Sequence, residues 1–177
     1  LVGSEMCIRD SLFPANQLKI LAYNRAVNSL NGHSPEQLIA KIAEAGFEVS
    51  ETDVKEPTKP RNVSMYLAGK WHAISWPEDP AADPVGSLDV SVLQERILAP
   101  LLAVDDPRTS DNIEFIGGIR GTAELEEKVN DGRAAVAFSM YPVTCDQLMA
   151  IADAGQIMAP KSTWFEPKLR SGLFVHT

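Results

Sequence analysis

Residues 134–141 (Ala-Ala-Val-Ala-Phe-Ser-Met-Tyr) are the most apolar strand-like run in the chain, closed by Pro142. A short apolar run without alternation belongs at the centre of a sheet, covered on both faces. That requirement demands neighbouring strands and packed helices, and the rest of the chain supplies both. Residues 17–23 alternate as a half-buried strand. Ser34, Pro35 and Gln37 form a capping box with proline in the first turn, and Leu38, Ile39 and Ile42 make the apolar stripe of the helix that follows. Gly46 stands where a left-handed residue ends that helix. A short strand begins at residues 47–49.

Residues 55–61, with Pro57 and Pro60, read as a loop. Residues 62–67 and 70–76 read as a hairpin turning at Ala68-Gly69. Trp71 and Trp76 fall on opposite faces of its second strand, so one belongs in the core and the other at the surface or an interface. Residues 77–84 form a second, acidic, proline-rich loop, and residues 89–102 a helix ended near Pro100. A strand at 113–116, a turn at 117–121, a helix from Thr122 to Val129, and a helix over 146–154 capped by Thr144 complete the rhythm. Residues 160–170 read as an irregular loop before a closing strand at 173–175. The expected architecture is α+β or α/β: a single domain over residues 12–177, with a mixed sheet and packed helices.

Residues 1–11 read differently. They match the in-frame translation of a transposon-end sequencing adaptor. The expectation is a non-native leader fused to the C-terminal fragment of a longer protein, whose N-terminal half is then a missing partner. The formal charge of −8 disfavours binding to nucleic acid. No apolar run approaches the ~20 residues of a membrane helix. With Cys7 in the leader, Cys145 stands alone, which fits a reducing, cytoplasmic setting.

Four stretches carry a family resemblance: residues 18–25 (Leu-Lys-Ile-Leu-Ala-Tyr-Asn-Arg), 83–90 (Asp-Pro-Val-Gly-Ser-Leu-Asp-Val), 115–121 (Phe-Ile-Gly-Gly-Ile-Arg-Gly) and 160–176, a long run around Lys-Ser-Thr-Trp-Phe-Glu-Pro-Lys. Together they resemble the C-terminal part of the bacterial and archaeal family filed as domain of unknown function 1015. The resemblance implies an upstream Asp-Gly-His-His-Arg segment, similar to the phosphate-handling signature shared by ParB, sulfiredoxin and free serine kinase. It therefore implies a nucleotide-dependent phosphotransferase acting on serine or a related metabolite, with ATP or ADP and magnesium as cofactors. The Gly-His-His-Arg string is absent from this chain, so no catalytic residue is assigned and the fragment alone is expected to be inactive. The alternative is a non-catalytic module for dimerisation or for regulatory binding of a small molecule.

Two sets of residues are candidates for holding phosphate. Lys161, Ser162, Thr163, Lys168, Arg170 and Ser171 bring three cations and three hydroxyls into eleven residues of an acidic chain. Fixed donors with positive charge are what phosphate needs; the bland alternative is a solvated connector. Gly117, Gly118 and Arg120 lie between a strand and a helix start, where backbone amides can cradle an anion. The alternative there is a tight turn requiring glycine. Residues 105–109 offer paired carboxylates, more often a turn than a metal site. His33, His72 and His176 lack metal-ligand spacing, so no metal site is expected, and His72 reads as a surface residue. Cys145 reads as a small packed residue.

Overall fold

The computed structural model describes residues 17–167. Six strands form an antiparallel sheet in the order β3 (Glu48–Glu51), β5 (Lys70–Ser75), β4 (Asn62–Leu67), β7 (Val136–Met140), β2 (Tyr23–Val27), β6 (Ile113–Gly117). β1 (Lys19–Leu21) and β8 (Trp164–Glu166) pair as a separate two-stranded ribbon. The class is α+β, and every ladder runs antiparallel. The apolar run at 134–141 supplies β7, buried along its whole length between β4 and β2.

Both sheet faces are covered, and the period-two alternation sorts residues between them. One face carries Val27, Val63, Met65, Ile74, Val136, Phe138 and Met140. Over it lie α1 (Pro35–Glu44), through Leu38 and Ile42, and α5 (Cys145–Asp153), through Ile151. A third helical segment joins them: α2 (Asp89–Leu93) runs through a π turn (Gln94–Leu98) into α3 (Ala99–Leu102). The opposite face is narrower. Ala26, Ala137, Tyr66, Trp71 and Ile116 pack against Leu125 of α4 (Ala123–Asn130). Small residues at Ala26 and Ala137 let that helix approach closely.

Local signals account for the helices that were read well. In α1 the Ser34 hydroxyl accepts from the Gln37 amide, while the Gln37 side chain accepts from the Ser34 N–H. Thr144 and Gln147 repeat this box at the start of α5. Gly46 is left-handed at φ +87. The Ala68-Gly69 turn has both residues at positive φ, 49 and 84, the primed geometry that matches strand twist.

Several expectations are corrected. Residues 17–23 do not form one strand: the chain breaks at Ala22 between β1 and β2, which lie in different sheets. β2 carries Asn24 and Arg25, which interrupt the apolar pattern of a strand, yet both are buried. Thr122 has helical dihedrals and makes no capping bond; a single 3-10 turn (Gly118–Arg120) precedes α4 instead. Residues 89–102 are helical but widen into the π turn just ahead of Pro100, which has no N–H to donate. Trp71 and Trp76 do point to opposite faces, but both are buried because both faces are covered. His72 is buried rather than at the surface, and its Nδ1 has no hydrogen-bond partner. Cys145 is exposed at the first position of α5, not packed. The irregular loop at 160–170 contains β8. The closing strand at 173–175 lies outside the described residues. No helix among the described residues is long and apolar enough to cross a membrane.

Candidate functional site

The strand registers bring one set of loops to a common end of the sheet. Glu48 pairs with Ser75, Ser75 with Asn62, Val63 with Met140, and Tyr23 with Gly117. Arg25 pairs with Phe138, which puts Tyr23 beside the end of β7. The loops entering or leaving at these positions hold the glycine turn and the proline-rich loops, and the tail segment packs against them through Trp164.

In the tail segment, Lys161 is exposed and left-handed at φ 58. Its Nζ stands over the Tyr23 ring, 5.6 Å from the centroid. Ser162 is buried and its hydroxyl donates to the Ala159 carbonyl at 2.6 Å, so it braces the loop rather than offering a free donor. Thr163 is half-buried beside it. Trp164 packs edge-on against Tyr23, with ring centroids 5.3 Å apart, and its indole N–H donates to Glu166. Lys168, Arg170 and Ser171 lie outside the described residues.

The glycine turn is explained by close packing. A Cβ on Gly117 would come within 2.5 Å of the Trp164 ring, and one on Gly118 within 2.6 Å of the Ala22 carbonyl oxygen. The Gly118 amide donates to that same carbonyl at 2.8 Å. Its N–H is therefore already used, and neither glycine needs positive φ. Arg120 is held by Glu124 at 2.9 Å, one helical turn on. Of the sequence candidates, the structure joins Gly117 to the tail through Trp164, while Arg120 turns to α4. The Asp105–Thr109 string is a turn: Asp106 accepts from the Arg108 backbone and side chain, and this bonding pulls its carboxyl down to about 2.

Two further groups at this end escaped sequence reasoning. Arg25, only 4% exposed, extends from β2 between its register partners Phe115 and Phe138. Loss of water lowers its pKa to about 10, still fully cationic near neutrality. The second group is Asp89, at the wall of an open groove of about 530 Å³ that also touches Arg61, Trp76, Glu78, Arg96 and Gln147. The Asp89 carboxylate accepts from the Arg61 amide at 2.9 and 3.1 Å. Burial outweighs these bonds and raises its pKa to about 6. Arg61 takes a left-handed φ of 59 to make this contact and pairs with Glu78 at 3.3 Å. Arg96, in the π turn, donates to the Ala45 carbonyl and covers the Phe47 ring at 4.3 Å. Chemically, the groove offers a carboxyl whose pKa burial raises to about 6, in a wall that Arg61 and Arg96 also line. The available signals were the 83–90 stretch, which contains Asp89, and the polar Asn24-Arg25 pair inside an apolar run.

A family model described as protein of unknown function (DUF1015) matches residues 10–91. The fold is similar to that of free serine kinase in complex with AMP: TM-score 0.50, 17% identity, covering 85% of this chain and 55% of that one. It is equally similar to a conserved hypothetical protein from Pyrococcus furiosus: TM-score 0.50, 16% identity, covering 84% of this chain and 56% of that one. At such identities the likeness is one of fold. The chain spans little more than half the length of these structures. No curated protein matches it.

Proposed function

We propose, from the DUF1015 family model that matches residues 10–91, that the chain is the C-terminal portion of a nucleotide-dependent phosphotransferase. In this reading it completes a nucleotide or phosphometabolite site whose catalytic segment lies upstream. The observation that carries it is Lys161, poised over Tyr23 at the sheet end where the glycine turn and the groove loops gather. A lysine on an aromatic shelf, beside a loop braced by Ser162, is suited to neutralise a phosphate oxygen. The shared fold with a kinase that binds AMP supports the reading. ATP or ADP with magnesium is the cofactor the reading requires, and serine or a related hydroxyl metabolite the acceptor.

The test is a thermal shift on the protein with its upstream reading frame restored, against ATP, ADP, serine and phosphoserine. A nucleotide-dependent rise in Tm that Lys161→Ala abolishes, with the unliganded Tm unchanged, is the expected result. No shift with any ligand in a stably folded oligomer overturns it and leaves the dimerisation or regulatory module.

A further inference from the structure

We infer that Arg25 is the buried base of an oxyanion subsite, taking a phosphoryl or carboxylate group of a ligand at the Tyr23 end of the sheet. Guanidinium carries five N–H donors in a rigid fork and keeps its charge. Among the described residues, the Arg25 guanidinium makes one hydrogen bond, from Nη1 to the Tyr23 carbonyl at 2.5 Å. No carboxylate of the described residues lies within ion-pair distance of it. Its other contact is the Phe115 ring, 5.5 Å from the guanidinium carbon to the centroid.

A side chain that only fills space between two phenylalanines needs no charge. An unneutralised buried cation is costly, and a methionine there would serve packing better. The surroundings complete the case. Tyr23 and Arg25 are two apart in β2 and so share a face, and Lys161 stands over the Tyr23 ring. Two cations thus meet at Tyr23, Lys161 over its ring and Arg25 on its backbone carbonyl. The nearby Glu166 carboxylate is engaged by the Trp164 indole at 2.5 Å. Phosphate and carboxylate both present paired oxygens that match the fork.

This inference rests on the phosphotransferase reading only for which anion arrives in the cell; the subsite rests on Arg25. The experiment uses the present chain in chloride buffer at fixed ionic strength, titrated with inorganic phosphate in one arm and acetate in the other. The readouts are Tm and the Arg25 side-chain N–H signal in NMR. The expected result is a saturable rise in Tm with a matching shift of that signal. A response to phosphate alone identifies a phosphoryl ligand, and one to acetate a carboxylate ligand. Arg25→Met should lose the response while melting at or above the parent in chloride. Arg25→Lys, which keeps charge but not the fork, should bind about tenfold more weakly. No response in the parent overturns the inference, as does an unchanged response in Arg25→Met. So does an Arg25→Met variant that melts well below the parent in chloride, because that marks Arg25 as structural. If phosphate acts through Arg25 while nucleotide binding fails in the restored protein, the subsite stands and the phosphotransferase reading falls.

Discussion

The six-stranded sheet buries two cations on its opposite faces, and treats them in opposite ways. At the end where β2 finishes and β6 begins, Lys128 of α4 is 7% exposed, and its Nζ donates to both oxygens of Glu114, at 3.0 and 2.9 Å. On the other face, Arg25 stands mid-strand in β2 with its guanidinium turned back to the Tyr23 carbonyl, and has no carboxylate within ion-pair distance among the described residues. The far end is also where the Ala68-Gly69 hairpin turns in open space. The Tyr23 end holds glycines pressed against an indole and a carbonyl, a lysine over a ring, and an aspartate whose pKa burial raises to about 6. One end is closed with its own groups. The other leaves the Arg25 guanidinium without a carboxylate partner among the described residues.

The largest expected effect separates the glycines of the two ends. Gly118→Ala drives a methyl into the Ala22 carbonyl and should cost about 3 kcal/mol in urea unfolding. Gly69→Ala meets no atom within 4 Å and suffers only its positive φ, about 1 kcal/mol. Similar losses at both sites would remove the distinction.

Asp89 sharpens the comparison through pH. Its folded pKa of about 6 lies above its ordinary value of 3.8, so the carboxyl is favoured protonated in the fold. The associated stability is fully present below pH 3.8 and is lost as pH rises through 6. Parent and Asp89→Asn should therefore diverge between about pH 4 and 7, by roughly 2 kcal/mol, with the parent losing stability as pH rises. Parallel stability curves would show that Asp89 titrates normally.

Removing the partner of the other buried cation gives the next effect. Glu114→Ala leaves Lys128 buried without its carboxylate and should cost about 1 kcal/mol, limited because Glu114 is itself 54% exposed. Added salt should shrink the difference. A loss at Glu114→Ala alongside no loss at Arg25→Met is the contrast the two ends predict. The smallest effect is a gain: Ala68→Asn should add about 0.5 kcal/mol, because asparagine tolerates left-handed φ better than alanine at the first turn position. Chemical denaturation of the isolated variant checks it.

What was legible in the sequence was local. The Ser34 and Thr144 caps, the Gly46 stop, the Ala68-Gly69 turn and the apolar β7 run are each encoded within a few residues, and each is found where expected. What was not legible depended on neighbours. β2 hid because Asn24 and Arg25 look like surface residues until Asn24 is seen accepting from the Met140 amide across the sheet. Gly117 and Gly118 look like a phosphate cradle until Trp164 and Ala22 arrive from distant segments. His72 looks like a surface residue until both faces of the sheet are covered.

The sequence by itself determined the α+β class, the helix starts and stops and the central strand. Capping, turn chemistry and hydrophobic period act over a few residues, so they can be read there. Only the tertiary structure decided which polar groups are buried and unpaired, and that Lys161, Tyr23, Arg25 and the Asp89 groove gather at one end of the sheet. Burial and charge pairing are properties of packed surroundings, and strand order assembles those surroundings from segments far apart in the chain.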